Sequence, residues 1–142
     1  MKKLSIVLFS LLMCGCGSDW NVSSTQLFEL QDQVGDDHIL LYKLQNERKG
    51  DWVYLTGYIT DVTVSTLSDP GYWIGQNSND DVFSSILCIM KKSDFDIHME
   101  EGTKVTIYGK IESINCNGFV LKSCSLEAKW PQAGQPLLKN AN

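Results

Sequence analysis

Three rhythms of apolar and polar residues follow one another along the chain. Residues 4–13 form an uncharged apolar run behind Lys2 and Lys3. Leu27, Leu30, Val34, Leu41 and Leu44 then recur at helical spacing, with Gly35-Asp36-Asp37 interrupting them. This predicts one helix with a weak middle, or two short helices, over residues 26–50, with Ser23, Ser24 or Thr25 as the N-cap. Beyond Asp51 the period drops to two. Residues 52–60, 72–75, 82–90, 103–111 and 119–127 read as five strands, separated by turn-prone stretches such as Leu67-Ser68-Asp69-Pro70-Gly71.

Five strands with a long break after the third suit a small Greek-key barrel of the oligonucleotide/oligosaccharide-binding (OB) type. Gly57 and Gly109, inside the first and fourth strands, let those strands bend tightly enough for so few to close. An SH3-like barrel or an open sandwich has the same strand count, and the break before the fourth strand favours the OB arrangement. The predicted fold is mainly β: a five-stranded Greek-key OB-fold barrel over residues 51–130, preceded by an N-terminal α-helical segment at 26–50. Residues 131–142 are expected to form a loose tail.

The first rhythm is that of an export signal, a short positive start followed by an apolar run too short to span a bilayer. Met13-Cys14-Gly15-Cys16 resembles a bacterial lipobox, in which a small residue precedes the cysteine that receives a diacylglyceryl group. Gly15 makes Cys16 the fitting acceptor, whereas Met13 is too bulky to serve Cys14 in the same way. Residues 1–15 are thus expected to be a lipoprotein signal peptide and residues 16–25 a lipidated tether. The alternative is ordinary cleavage near Gly15 or Gly17, giving a soluble exported protein. Cleavage before Cys16 removes Lys2 and Lys3 and takes the formal charge from −5 to −7. Gly17, where Asp would signal inner-membrane retention in Gram-negative lipoproteins, favours the periplasmic face of the outer membrane.

Asn46-Glu47, Leu55-Thr56-Gly57-Tyr58-Ile59, Ile86-Leu87-Cys88-Ile89, the run from Glu101-Gly102-Thr103 to Gly109-Lys110-Ile111, and Val120-Leu121-Lys122-Ser123-Cys124-Ser125-Leu126 follow one another in a fixed order. Over roughly residues 42–127 the chain resembles the tRNA_anti-like OB-fold proteins, many of which are bacterial lipoproteins. The resemblance implies an OB barrel on a lipid anchor and carries no defined activity. The segment between Asn46-Glu47 and the first strand is shorter than the family usually has.

Composition narrows what such a barrel does. The 142 residues are 43% hydrophobic and 10% aromatic, enough to fill one core. A net charge of −5 disfavours a phosphate-gripping nucleic-acid binder. Of five cysteines, Cys14 leaves with the signal and Cys16 is lipidated, so Cys88, Cys116 and Cys124 remain. In this topology the third and fifth strands are neighbours, which makes a Cys88–Cys124 disulfide the first expectation in an oxidising compartment. Cys116–Cys124 and three free thiols are the alternatives.

Neither His38 nor His98 sits in a nucleophile, metalloprotease or phosphate-loop motif. Asn77-Ser78-Asn79-Asp80-Asp81 has the oxygens of a calcium loop but lacks its glycine and its closing glutamate, and reads as a polar loop. No catalytic residue, metal or cofactor is expected. OB barrels present the face of the second and third strands and its flanking loops to ligands. Here that region holds Tyr72, Trp73, Gln76, Asn77, Lys91 and Asn117. The expected partners are the membrane through the lipid anchor, and a glycan, a peptide or an envelope protein through this face. The alternative is an accessory lipoprotein that docks on a membrane complex without a small ligand.

Overall fold

Ser23 opens the first helix by a reciprocal cap: its hydroxyl accepts from the Gln26 N–H at 3.1 Å, and Gln26 Oε1 accepts from the Ser23 N–H at 3.1 Å. Helix α1 (Ser24–Val34) buries Leu27, Phe28, Gln31 and Val34, which lie on one face. It stops at Gly35, and Asp37 caps α2 (His38–Arg48) by accepting from the Leu40 N–H at 3.0 Å. The predicted helical segment is therefore split into α1 and α2, broken at Gly35-Asp36-Asp37. This computed structural model describes residues 17–64 and 69–130. The expected signal peptide, Cys14, Cys16 and the tail from residue 131 lie outside the described residues.

Strands β1 (Trp52–Thr63), β2 (Gly71–Gly75), β3 (Ile86–Met90), β4 (Lys104–Asn115) and β5 (Gly118–Trp130) close into a barrel in the order β1-β2-β3-β5-β4. Only β3 and β5 run parallel. This is the predicted OB-type barrel. Val53, Leu55 and Ile59 of β1 face the core, as do Val105, Ile107 and Ile111 of β4 and Phe119, Leu121 and Cys124 of β5. Register shifts in β1, β4 and β5 mark the bulges that let five strands curl shut. Residues 82–84, expected to begin the third strand, form a 3-10 turn capped by Asp81. Once Asp81 accepts from the Ser84 N–H, that backbone is turned away from the ladder.

Both ends of the barrel are filled. At one end α1 inserts Leu27 and Phe28, and Gln31 spans two strands: Nε2 donates to the Ser85 carbonyl and Oε1 accepts from the Phe119 N–H, each at 2.8 Å. At the other, residues 91–103 fold over the opening and bury Met99, with Phe95 stacked on Tyr72 at 5.2 Å. The Tyr72 hydroxyl donates to the Asp96 carbonyl at 3.0 Å and accepts from its N–H at 2.7 Å.

The expected tether differs from what is found. The described part of it is docked: the Trp52 N–H donates to the Ser18 carbonyl at 2.9 Å, the Trp20 N–H to the Trp52 carbonyl at 2.8 Å, and the Thr56 N–H to Ser24 Oγ at 2.8 Å. The cause lies in the sheet. β2 pairs with β1 only from Tyr58 onward, so the first half of β1 has an open edge whose N–H groups need partners. Ser18 and Ser24 supply them for Trp52 and Thr56.

Candidate functional site

Registered pairing places Asp61 beside Trp73, Trp73 beside Leu87, and Leu87 beside Val120. These four residues form one row across β1, β2, β3 and β5. All are partly exposed, so the row lies on the outer surface. The next row, Val62-Tyr72-Cys88-Leu121, alternates to the inside, and Tyr72, Cys88 and Leu121 are buried. Trp73, Leu87 and Val120 thus make a shallow apolar stripe, and Ile89, also partly exposed, follows Leu87 on the same face of β3.

The six residues expected to meet a ligand separate in space. Trp73 lies on the stripe. Tyr72 is a correction: it is fully buried, its hydroxyl is spent on Asp96, and burial pushes its phenol pKa up. Gln76 and Asn77 are exposed in the loop after β2, where the Asn77 N–H is held by Asp80 at 3.0 Å. Asn117 is exposed in the β4–β5 turn, whose neighbouring Cys116 carbonyl lies against Gly35 at the end of α1. The loop after β2 and the β4–β5 turn both adjoin the barrel end that α1 fills. Lys91 lies at the other end, its N–H bonded to the Cys124 carbonyl at 2.9 Å. Leu87, Val120 and Asp61 were not singled out from the sequence. The alternation of their strands marks them as outward positions, but only the cross-strand register aligns them with Trp73.

The Cys88–Cys124 disulfide is a second correction. Both residues are buried free thiols, and Cys116 is free and exposed. Cys88 pairs with Leu121 and Cys124 with Met90, so the two sit diagonally on neighbouring strands inside the barrel. Burial pushes the Cys88 thiol pKa well up, and the adjacent Cys124 thiol adds to the shift.

A second cluster stands on the outside of β1 and β4. The Tyr108 ring stacks on Trp52 at 5.0 Å and 18° and meets the Tyr54 ring at 4.5 Å and 37°. Its hydroxyl donates to the Asp19 carboxylate. Tyr54 has half its surface exposed.

Among the described residues no three His, Cys, Asp or Glu side chains gather as a metal site, and no helix is long and apolar enough to cross a membrane. His38 and His98 are both exposed. An open depression of about 700 Å³ lies at the α1–α2 corner beside His38 and Ile39, away from the stripe. No protein-family model matches the chain, and no curated protein is significantly similar to it.

Proposed function

We propose that this protein is an exported lipoprotein, acylated at Cys16, whose OB-type barrel is a non-catalytic interaction module for a protein or peptide segment. The observation that carries the reading is the registered stripe Trp73-Leu87-Val120 on the outer face of β2, β3 and β5. A filled barrel with both ends covered offers its outer surface to a partner. An apolar row that begins with a tryptophan suits a protein or peptide chain better than a small molecule needing enclosure. The lipobox-like Met13-Cys14-Gly15-Cys16 and the resemblance to the tRNA_anti-like lipoproteins support the anchor. The acidic chain argues against a nucleic-acid ligand.

The test compares capture of envelope proteins by the native barrel with capture by Trp73→Ala and Tyr54→Ala variants. A protein bound through the stripe is lost with Trp73→Ala, weakened on the order of 30-fold if the tryptophan contributes about 2 kcal/mol, and kept with Tyr54→Ala. Unchanged capture by Trp73→Ala overturns the site. Binding of a cell-wall glycan that Trp73→Ala abolishes replaces the protein partner with a sugar. Replacing Cys16 by Ser releases the chain from membranes if the anchor assignment is right.

A further inference from the structure

Cys16 immediately precedes Gly17, and Gly17 is pressed onto the barrel. It has φ +66°, and a Cβ there would stand 2.7 Å from the Gly50 carbonyl oxygen and 3.8 Å from Trp52 Nε1. The next three residues are clamped by the two hydrogen bonds to Trp52 and by the Asp19–Tyr108 contact. Consecutive Cα atoms are about 3.8 Å apart, so an acyl group on Cys16 starts one residue from this patch with no slack chain between.

The surroundings of Gly17 have the chemistry of a bilayer interface. Arg48 Cζ lies 4.7 Å from the centre of the Trp20 ring. Lys110 Cε comes within 4.0 Å of where a Cβ on Gly50 would be, and Lys122 faces Lys110 across the β4–β5 ladder. The Lys122 hydrogen bond chiefly, with the charges of Lys49 and Lys110 adding to it, lowers the Glu112 carboxyl pKa, so these lysines share one neighbourhood. Asp51 pairs with Arg48 at 3.4 Å and Glu112 with Lys122 at 2.8 Å, and Asp19 accepts from the Tyr108 hydroxyl. Arg48, Lys49, Lys110 and Lys122 thus gather on one side of the barrel, although the whole chain carries −5. Tryptophan together with lysine and arginine is the combination that settles among headgroups.

We propose that this patch, built around Gly17 from Trp20, Arg48, Lys49, Trp52, Lys110 and Lys122, is the membrane-facing side of the anchored barrel and rests on anionic phospholipid headgroups. The proposal relies on acylation of Cys16. The anchor then orients the barrel as well as holding it, with the paired strand ends at Thr63 and Gly71 on the side facing the aqueous phase.

The test uses the full chain purified from membranes, in a Cys116→Ser background, reconstituted into phosphatidylethanolamine/phosphatidylglycerol vesicles. A nitroxide is placed at Lys49→Cys or at Asp69→Cys ahead of β2. Collision with a water-soluble nickel chelate is expected to fall at position 49 to less than half its value at 69. Reversing Lys110→Glu and Lys122→Glu is expected to restore it. Equal accessibility at the two positions, or shielding at 49 that survives the charge reversal, overturns the orientation. Mass spectrometry of the Cys16 peptide separates the two proposals. An unmodified cysteine removes the anchor itself, and a modified one with equal labels overturns the orientation alone.

Discussion

The Tyr108 hydroxyl donates to the Asp19 carboxylate at 2.5 Å, joining residues that stand 89 positions apart. It fastens the segment ahead of the first helix to the middle of β4. Because Tyr108 also stacks on Trp52, whose backbone binds Ser18 and Trp20, the same side chains hold that segment from two directions.

The contact has a pH signature. The Asp19 hydrogen bond is the main reason the Tyr108 phenol is pushed up from 10.0 to about 12. A raised folded pKa means that the stabilisation is fully present below pH 10 and is lost as the pH rises through about 12. Absorbance titration at alkaline pH should show a late-titrating phenol that is absent from Tyr108→Phe. Amide exchange at Trp20 and Trp52 should quicken in that variant at neutral pH. An unchanged titration would remove the Asp19 interaction from solution.

Gln31 bridges the Ser85 carbonyl and the Phe119 N–H at the covered end of the barrel. Gln31→Ala leaves two buried backbone groups without partners, each costing roughly 1–3 kcal/mol, so a loss of about 2 to 6 kcal/mol is expected in urea unfolding. Gln31→Glu keeps the acceptor for Phe119 but places a carboxylate against the Ser85 carbonyl. It should be no better tolerated than alanine near neutral pH.

Gly109 faces the Cys124 thiol inside the barrel. A Cβ at 109 would stand 2.5 Å from Cys124 Sγ, so Gly109→Ala overpacks the core and should cost about 1–3 kcal/mol. Cys124→Ala removes the sulfur that the new methyl meets. The double variant should therefore be less destabilised than the sum of the two single ones, and simple additivity would exclude this contact as the cause.

Thiol reactivity follows burial. Cys116 is exposed, whereas Cys88 and Cys124 are enclosed, with the Cys88 thiol pKa pushed well up. Of these three, Cys116 should react at once with a water-soluble disulfide reagent near neutral pH, and the other two only when the barrel opens. Labelling followed by peptide mapping in rising urea checks it. Prompt labelling at Cys88 would mean that the interior is open to water.

Much of the architecture was legible from local pattern. The switch from helical spacing to alternation at Asp51, the break at Gly35-Asp36-Asp37 and the turns between strands all depend on residues within a few positions of one another. Those features therefore follow directly from the sequence. The 3-10 turn at residues 82–84 was missed because the alternation of its neighbours continues through it, while Asp81 diverts the backbone.

The sequence by itself determined the order of a helical segment followed by five strands, and the opposite orientation of Tyr72 and Trp73, because period two sends adjacent side chains to opposite faces. Only the tertiary structure decided which of the two turns inward. The register that sets Tyr72 opposite Cys88 and Cys88 opposite Leu121 gives Tyr72 to the core and lines Trp73 up with Leu87 and Val120 outside. It likewise decided that Cys88 and Cys124 lie as neighbouring free thiols, and that residues 18–24 follow the open edge of β1 instead of hanging loose. Each of these outcomes depends on partners far away in sequence. Their pairing is set by barrel closure and by the need of each strand edge to satisfy its N–H groups, conditions that exist only once the whole chain is folded.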